Sequence, residues 1–181
     1  MNFDSFSHGQ IQSKIWLCDM LEPHLGVGAT ILNLGCWHNV LGLMLSIRNP
    51  EKYKMIYGID IDAAAIDVAK KICDAWVIQQ KMRLLHGDVN EKFIDTDVVI
   101  NCSPEHIVGS AWFEKIKPGT LVCIQTSNVT DPTYPWLIKT PCPNMEQFRS
   151  MYPLTTVHFC GEQRIQYATW GYDRYMIIGV K

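Results

Sequence analysis

The segment from Pro23 to Ile47 contains no Asp, Glu, Lys or Arg, and this uncharged run limits the folds that the chain can adopt. Its length alone would allow a helix that crosses a bilayer. It also contains prolines, glycines and polar side chains that would break such a helix or leave polar groups in hydrocarbon, namely Pro23, Gly26, Gly28, Asn33, Gly35, His38, Asn39 and Gly42. The run therefore predicts a buried strand, a turn and a buried helix, with no membrane as partner.

The charge balance argues against other classes of partner. With 16 basic and 18 acidic residues the formal net charge is −2, which gives no strong signal for nucleic acid or anionic lipid. The N-terminus lacks a cationic segment followed by an apolar core, which favours an intracellular protein. The seven cysteines form no CxxC pair, so we expect reduced thiols, a cytoplasmic location and no metal site.

Strand and helix patterns alternate along the chain. The predicted strands cover residues 29–34, 54–61, 82–86, 97–101, 119–125, 155–160 and 174–180, and the predicted helices cover residues 9–22, 39–48, 63–75, 104–118 and 145–151. Asp62 is the expected N-cap of the third helix, and Ser103 that of the fourth. This order predicts one α/β domain over residues 1–181 with a Rossmann-like, doubly wound, mostly parallel sheet of about seven strands and an antiparallel C-terminal pair.

Polar residues follow the predicted strands at their carboxyl ends, where ligands bind in sheets of this type. Gly35 follows the first strand, Asp60 lies in the second near its end, and Asp88 follows the third. Asp60 is well placed to accept hydrogen bonds from both hydroxyls of a ribose. Asp60 and Asp62 can also simply begin a helix, because carboxylates favour the positive end of the helix dipole. With two acids, Asp62 can cap the helix while Asp60 binds a ligand.

The turn after the first strand contains few glycines. A dinucleotide site needs G-x-G-x-x-G so that amides can approach a pyrophosphate, but Trp37 and Asn39 stand where further glycines would be wanted. The triphosphate motif G-x-x-x-x-G-K-[ST] is absent from the sequence. A ligand with an adenosine and no phosphates fits better. Asp88 can accept a hydrogen bond from an adenine amino group, and Asn101 and Ser103 can hold an amino group or a substrate.

At these segments the sequence resembles the class I S-adenosylmethionine-dependent methyltransferases, over nearly the whole chain. ATILNLGCW resembles the family's first strand with its acidic, Leu, Gly, Cys, Gly ending, YGIDID resembles its second motif, and LLHGDV resembles its adenine-contacting segment. DVVINCSPEH is similar to the fourth motif, and IKPGTLVCI to the Pro-Gly turn before the fifth strand. The short length and the GQIQSKIWL start also resemble small methyltransferase-like proteins carried by phages.

The resemblance implies S-adenosylmethionine as the cofactor. Gly35 would approach its methionine part, Asp60 would hold the ribose and Asp88 the adenine, while a helix within residues 1–24 would cover the pocket. The residues implied for the cofactor site are Asn33, Gly35, Trp37, Asp60, Ile61, Asp88, Val89, Asn101 and Ser103.

Three positions of the first turn depart from the family's pattern. Asn33 replaces the usual acid, and Trp37 and Asn39 replace usual glycines. Trp37 can stack on the adenosine or the sulfonium, or it can be a core side chain beside the turn.

Glu105 and His106 are the candidate catalytic residues, because both follow the fourth strand and a methyl acceptor that carries a proton needs a base. A helix N-terminus would keep His106 neutral. Glu105 can also be only part of a helix start. Lys14 can meet the methionine carboxylate, and residues 125–128 can line the acceptor site. Substrate specificity falls to the C-terminal third, with Trp136, His158, Gln163 and Trp170 as unranked candidates.

The leading hypothesis is a methyltransferase acting on a small molecule. The alternatives are an adenosylmethionine-binding protein without methyl transfer, a lyase-type enzyme using the same cofactor, and an NAD-dependent oxidoreductase. The sequence leaves the methyl acceptor and the oligomeric state open.

Overall fold

Strands and helices alternate along residues 3–129 and 137–181, which are the residues that the computed structural model describes. The strands are β1 (Ala29–Leu34), β2 (Tyr53–Asp60), β3 (Met82–His86), β4 (Val98–Asn101), β5 (Leu121–Ser127), β6 (Thr156–Gln166) and β7 (Gly171–Val180). The helices are α1 (His8–Leu21), α2 (Val40–Arg48), α3 (Ala63–Ile72), α4 (Asp74–Ile78), α5 (Ala111–Glu114) and α6 (Met145–Met151). Short 3-10 turns cover Phe3–Phe6, Glu22–His24 and Pro104–His106.

The strands join in one sheet of order β3-β2-β1-β4-β5-β7-β6. The pairings from β3 to β5 are parallel, whereas β7 runs antiparallel to both β5 and β6. The predicted Rossmann-like, mostly parallel sheet with an antiparallel C-terminal pair is therefore confirmed. The reversed β7 also distinguishes this sheet from the 3-2-1-4-5-6 order of dinucleotide-binding folds.

The register aligns the carboxyl ends of the central strands. Leu34 of β1 pairs with Ile59 of β2 on one side and with Asn101 of β4 on the other, and Asp60 pairs with His86 of β3. The segments that follow these strands consequently meet along one margin of the sheet, which we call the carboxyl edge.

The uncharged run forms the center of the molecule as β1, a turn and α2, as predicted. Ile31 packs into a core cluster with Leu17 of α1 and Leu41 of α2, while Leu34 belongs to a second cluster with Trp112 of α5. Because β1 is covered on both faces, charge is absent from it. Within residues 3–129 and 137–181, no helix has the length and apolar character needed to cross a membrane.

The predicted helix over residues 104–118 is wrong. The chain forms only the 3-10 turn Pro104–His106 and, after a break, the four-residue helix α5. Gly109 has φ +70° in that break, and the Ser103 side chain makes no capping hydrogen bond. A left-handed residue interrupts the helical path, so the favourable Ser-Pro start does not propagate.

Several other element boundaries differ from the predicted ones. The helix after β2 ends at Ile72 rather than near residue 75, because Cys73 leaves the helical conformation before α4 begins. Its predicted cap is confirmed, since Asp62 accepts hydrogen bonds from the Ala64 and Ala65 amides. The two C-terminal strands are longer than predicted, because part of the expected loop between them is also strand. Strands β6 and β7 thus form one long hairpin.

Candidate functional site

The turn after β1 has a left-handed backbone at three alternate positions. The φ angles are +60° at Gly35, +48° at Trp37 and +52° at Asn39. An L-residue other than glycine adopts this region at a cost on the order of 1–2 kcal/mol, with Asn tolerated best. The turn thus keeps, at Trp37 and Asn39, a backbone that glycine would adopt more easily.

Two buried side-chain amides, those of Asn33 and Asn39, stabilise this turn from the protein interior. Asn33, at the end of β1, donates from Nδ2 to Asn39 Oδ1 at 2.9 Å, and Asn39 Nδ2 lies 3.1 Å from Met82 Sδ. Asn33 and Asn39 are 3% and 0% exposed. A Cβ at Gly42 would lie 2.4 Å from Asn39 Nδ2, so this glycine makes room for the amide. The Asn33 side chain therefore supports the turn from inside the protein.

Asp60, at the end of β2, is fixed by two backbone amides. The Trp37 N–H donates to Asp60 Oδ2 at 2.7 Å, and the Asp62 N–H donates to Oδ1 at 2.9 Å. The residue is half-buried. An ionised carboxylate offers about four acceptor positions, so each oxygen retains capacity to accept a hydrogen bond from a ligand.

The end of β4 lies opposite the glycine of the first turn. A Cβ at Gly35 would lie 3.3 Å from Ser103 Oγ, a tight contact, and the φ of +60° also disfavours a side chain there. Asn101 is fully buried and accepts from the Ser103 N–H at 3.1 Å, while its Nδ2 has no partner among the described residues. The structure thus brings Gly35, Asn101 and Ser103 together, with one amide donor left to satisfy.

The remaining residues assigned to the cofactor site differ in their surroundings. The Ile61 side chain is 68% exposed, and its carbonyl accepts a hydrogen bond from His86 Nε2 at 3.1 Å. Asp88 Oδ1 accepts from the Asn90 N–H at 2.8 Å, so its second oxygen keeps acceptor capacity. Val89 is 5% exposed and packs in the second core cluster, so only its backbone can serve a ligand.

Trp37 is linked through His38 to the N-terminal turn. The two rings stack with centroids 4.6 Å apart, and His38 Nδ1 lies 2.9 Å from Ser5 Oγ. Burial lowers the pKa of His38, which keeps the ring neutral at neutral pH. Trp37 itself is half-buried, so part of its ring remains accessible. No motif in the sequence indicated the role of Ser5.

Glu105 lies in a buried polar cluster. It is 3% exposed and forms an ion pair with Arg174 Nη1 of β7 at 3.3 Å. Its carboxylate also accepts hydrogen bonds from Thr126 Oγ1 at 3.1 Å and from Ser127 Oγ at 3.4 Å. Arg174 Nη2 donates to the Cys102 carbonyl at 2.7 Å, and Arg174 Nε has no partner among the described residues.

His106 points away from this cluster, although it is the next residue. It is exposed, and its Nδ1 donates to the Leu137 carbonyl at 2.8 Å. That bond leaves Nε2 as the acceptor nitrogen of the neutral ring. His106 does not lie at the N-terminus of a helix, because it ends a three-residue 3-10 turn, so no helix dipole keeps it neutral.

Lys14 and Cys102 lie near the Glu105 cluster. Lys14 Nζ donates to Gln10 Oε1 at 2.5 Å, and burial lowers its pKa to about 8, with a further lowering from Arg174. Burial raises the pKa of the Cys102 thiol, which is therefore protonated at neutral pH. Among residues 3–129 and 137–181, no group of three His, Cys, Asp or Glu side chains is arranged to hold a metal ion.

The other polar candidates lie either in the Glu105 cluster or away from it. Gln125, Thr126 and Ser127 are buried within β5, instead of following it. His158 stacks on His24, with ring centroids 4.9 Å apart. The side chains of Gln163 and Trp170 lie on the β6–β7 hairpin, and Trp136 lies outside the described residues.

Sequence reasoning missed Arg174. Its signal was a single charge at the head of the apolar run that forms the second half of β7, RYMIIGV. A separate groove of about 570 Å³ lies between α6 and the start of β6, and its lining includes Met145, Tyr152 and Val157. The start of β6 is at the opposite end of the sheet from the carboxyl edge, so this groove is distinct from the candidate site.

The strand order, the antiparallel β7 and the polar carboxyl edge define the fold of the class I S-adenosylmethionine-dependent methyltransferases. N-methyltransferase NodS from Bradyrhizobium japonicum is similar with a TM-score of 0.69 and 13% identity, over 95% of this chain and 97% of that one. Magnesium protoporphyrin IX methyltransferase from Synechocystis, solved with bound S-adenosylhomocysteine, gives a TM-score of 0.68 and 12% identity over 94% and 84%.

At the level of sequence, no family model matches the chain. It is 31% identical over 99 residues to the ribosomal protein L11 methyltransferase of Dictyoglomus turgidum. The matched region is 53% of this chain but only 31% of that relative. The resemblance to class I methyltransferases is thus confirmed for the fold.

Proposed function

We propose that this chain is an S-adenosylmethionine-dependent methyltransferase acting on a small-molecule acceptor. The observation that carries the proposal is the left-handed turn after β1, whose Trp37 amide fixes the Asp60 carboxylate at the carboxyl edge. The similarity to methyltransferases of the same fold, one of them solved with S-adenosylhomocysteine, supports the same conclusion.

The residues at the carboxyl edge fit the proposed cofactor. Asp60 has free acceptor positions for the two ribose hydroxyls, and the second oxygen of Asp88 can accept from the adenine amino group. Gly35 allows close approach next to Ser103, and the unsatisfied Asn101 Nδ2 can donate to the amino-acid part. Lys14 is the cation proposed for the methionine carboxylate.

The bound cofactor supplies an electrophilic methyl group, and the task of the protein is mainly to orient the acceptor in line with it. His106 Nε2 is the proposed proton acceptor, because its other nitrogen is engaged by the Leu137 carbonyl. We assign Glu105 a positioning role, since its carboxylate is buried and held by three donors. The unpaired thiols of all seven cysteines support a reducing, cytoplasmic location.

Calorimetric titration tests the proposal. S-adenosylmethionine and S-adenosylhomocysteine should bind and NAD should not, because the turn lacks the glycines of a pyrophosphate site and β7 is reversed. Asp60→Ala should weaken binding at least about tenfold, since it removes charge-assisted hydrogen bonds to the ribose. Asp62→Ala is the matched control, because it removes a helix cap two residues away. Absence of binding of both sulfur compounds would refute the proposed function.

Methyl transfer itself is tested with His106→Ala. That variant should retain cofactor affinity and lose turnover on an acceptor that carries a proton. A wild-type protein that binds the cofactor without transferring methyl groups to any small acceptor would favour a binding protein or a lyase-type enzyme instead.

A further inference from the structure

The strand β6 is a long, open edge of the sheet. In the described part of the chain it pairs with β7 alone, and only Ile165 among its 11 residues is buried. Natural edge strands are usually shielded by Pro, by charged side chains and especially Lys, by bulges or by being short. β6 contains neither Pro nor Lys, and its one register shift lies near its start, between Val157 and Phe159. The stretch from Cys160 to Gln166 is therefore free to pair with another strand.

The direction of the free backbone groups follows from the hairpin. The Tyr167 N–H donates to the Trp170 carbonyl at 2.8 Å, and in an antiparallel ladder alternate residues bond to the same neighbour. Counting back from Tyr167, the odd-numbered residues of this stretch bond to β7. The even-numbered residues direct their N–H and C=O groups to the open edge, and they are Cys160, Glu162, Arg164 and Gln166.

We propose that β6 pairs antiparallel with β6 of a second copy of this chain, about a two-fold axis at Gln163. In this register Glu162 lies opposite the partner's Arg164, and the symmetric pair repeats the contact. Opposite charges directly across a pair of strands are favourable. Both side chains are exposed, and Glu162 has no ion pair among the described residues. Arg164 already pairs with Asp173 at 3.0 Å, and it would bridge the two acids.

The charge pattern selects this register over its neighbours. An axis at Glu162 or at Arg164 would place like charges opposite each other, which is unfavourable. An axis between two residues would set outward-pointing backbone groups against inward-pointing ones, so the ladder could not form. An axis at Gly161 or Ile165 would leave the Glu162–Arg164 pair unmade. The axis at Gln163 satisfies both the backbone and the charges.

A charge swap tests the interface by sedimentation velocity or light scattering. Wild-type protein should have twice the 20.7 kDa mass of the chain. Glu162→Arg and Arg164→Glu should each weaken the dimer at least about tenfold, since like charges then oppose. The double variant carrying both changes should restore it. A monomeric wild type, or charge variants that dimerise as well as the wild type, would overturn the proposal.

A cross-link gives an independent measurement of the register. Gln163→Cys, made with Cys160→Ser to remove the exposed native thiol, places two cysteines on the axis. The Cα atoms of such a pair, which shares no ladder hydrogen bonds, are about 4.5 Å apart, within the range of a disulfide. Mild oxidation should link the two copies, while the exposed control Glu146→Cys on α6 should stay unlinked. Equal linking of both variants, or of neither, would contradict the proposed pairing.

Discussion

Replacing Glu105 by alanine should destabilise the fold strongly, whatever its effect on activity. The Glu105 and Arg174 side chains are only 3% and 7% exposed. Glu105→Ala removes the carboxylate and leaves the guanidinium with two neutral acceptors, the Cys102 carbonyl and Gln125 Oε1. Leaving one charge of a buried pair uncompensated costs about 3–5 kcal/mol. For a chain of this size that corresponds to a fall in Tm on the order of 10 °C.

Equilibrium unfolding in urea measures this loss. The matched control is Asp95→Ala, which breaks the Asp95–Lys117 ion pair whose side chains are 60% and 67% exposed. Screening by solvent limits that pair to about 0–1 kcal/mol. Combining Glu105→Leu with Arg174→Met should recover part of the stability, because the apolar pair removes the unpaired charge but also the bonds to Thr126 Oγ1 and the Cys102 carbonyl.

A Glu105→Ala variant that loses no more stability than the Asp95→Ala control would contradict this expectation. The carboxylate would then not be holding Arg174, and its assignment as a catalytic base would regain support. Glu105→Gln separates the two roles further. A variant that unfolds like the wild type but has lost turnover would place the carboxylate in the chemistry.

Three further changes test local features of the site. Asp62→Ala should cost about 1 kcal/mol in urea unfolding, because it removes the cap of α3, and a loss near zero would contradict the cap. Trp37→Gly should remove the energetic cost of a left-handed backbone at a non-glycine residue, but it should also lose the ring contact with His38. Because these two effects oppose each other, the unfolding free energy should stay within about 1 kcal/mol of the wild type. Burial lowers the pKa of Lys14 to about 8 in the folded protein, against 10.5 in the unfolded chain. The buried charged ammonium therefore destabilises the folded state fully below pH 8, and this penalty decreases as the pH rises to 10.5. Lys14→Met should accordingly be more stable than the wild type at pH 7, and the difference in unfolding free energy should shrink between pH 8 and 10.5. A difference that stays constant over this range would show that the pKa of Lys14 is not lowered.

Most of the fold could be predicted from the sequence, because buried strands have a distinctly apolar local composition. β1 and α6 match their predicted ranges, since each is bounded by turn residues or a proline. The helix after β4 was mispredicted from a favourable start alone. A good start cannot nucleate a helix when Gly109, a few residues later, takes a left-handed conformation.

The sequence predicted the candidate site only for residues that lie at the carboxyl ends of parallel strands. The ends of β1, β2 and β4 converge because parallel strands share a direction, so Gly35, Asp60 and Asn101 could be grouped in advance. The partner of Glu105 could not be predicted in this way. Arg174 lies 69 residues away on β7, whose position in the sheet does not follow from the local sequence. A partner at that distance is set by sheet order, which local patterns do not record.

The unusual residues of the first turn make sense as a set. An acid at position 33 would turn a carboxylate toward Asn39 Oδ1, placing two acceptors together, whereas Asn33 donates to it at 2.9 Å. Asn39 in turn fits only because Gly42 has no side chain, and Asn is the non-glycine residue that tolerates φ +52° best. The residues at positions 33 and 39 therefore fit each other. Asn33→Asp should then destabilise the protein more than Asn33→Ser, because the aspartate must repel Asn39, take up a proton, or turn the Asn39 amide so that its Nδ2 leaves Met82 Sδ.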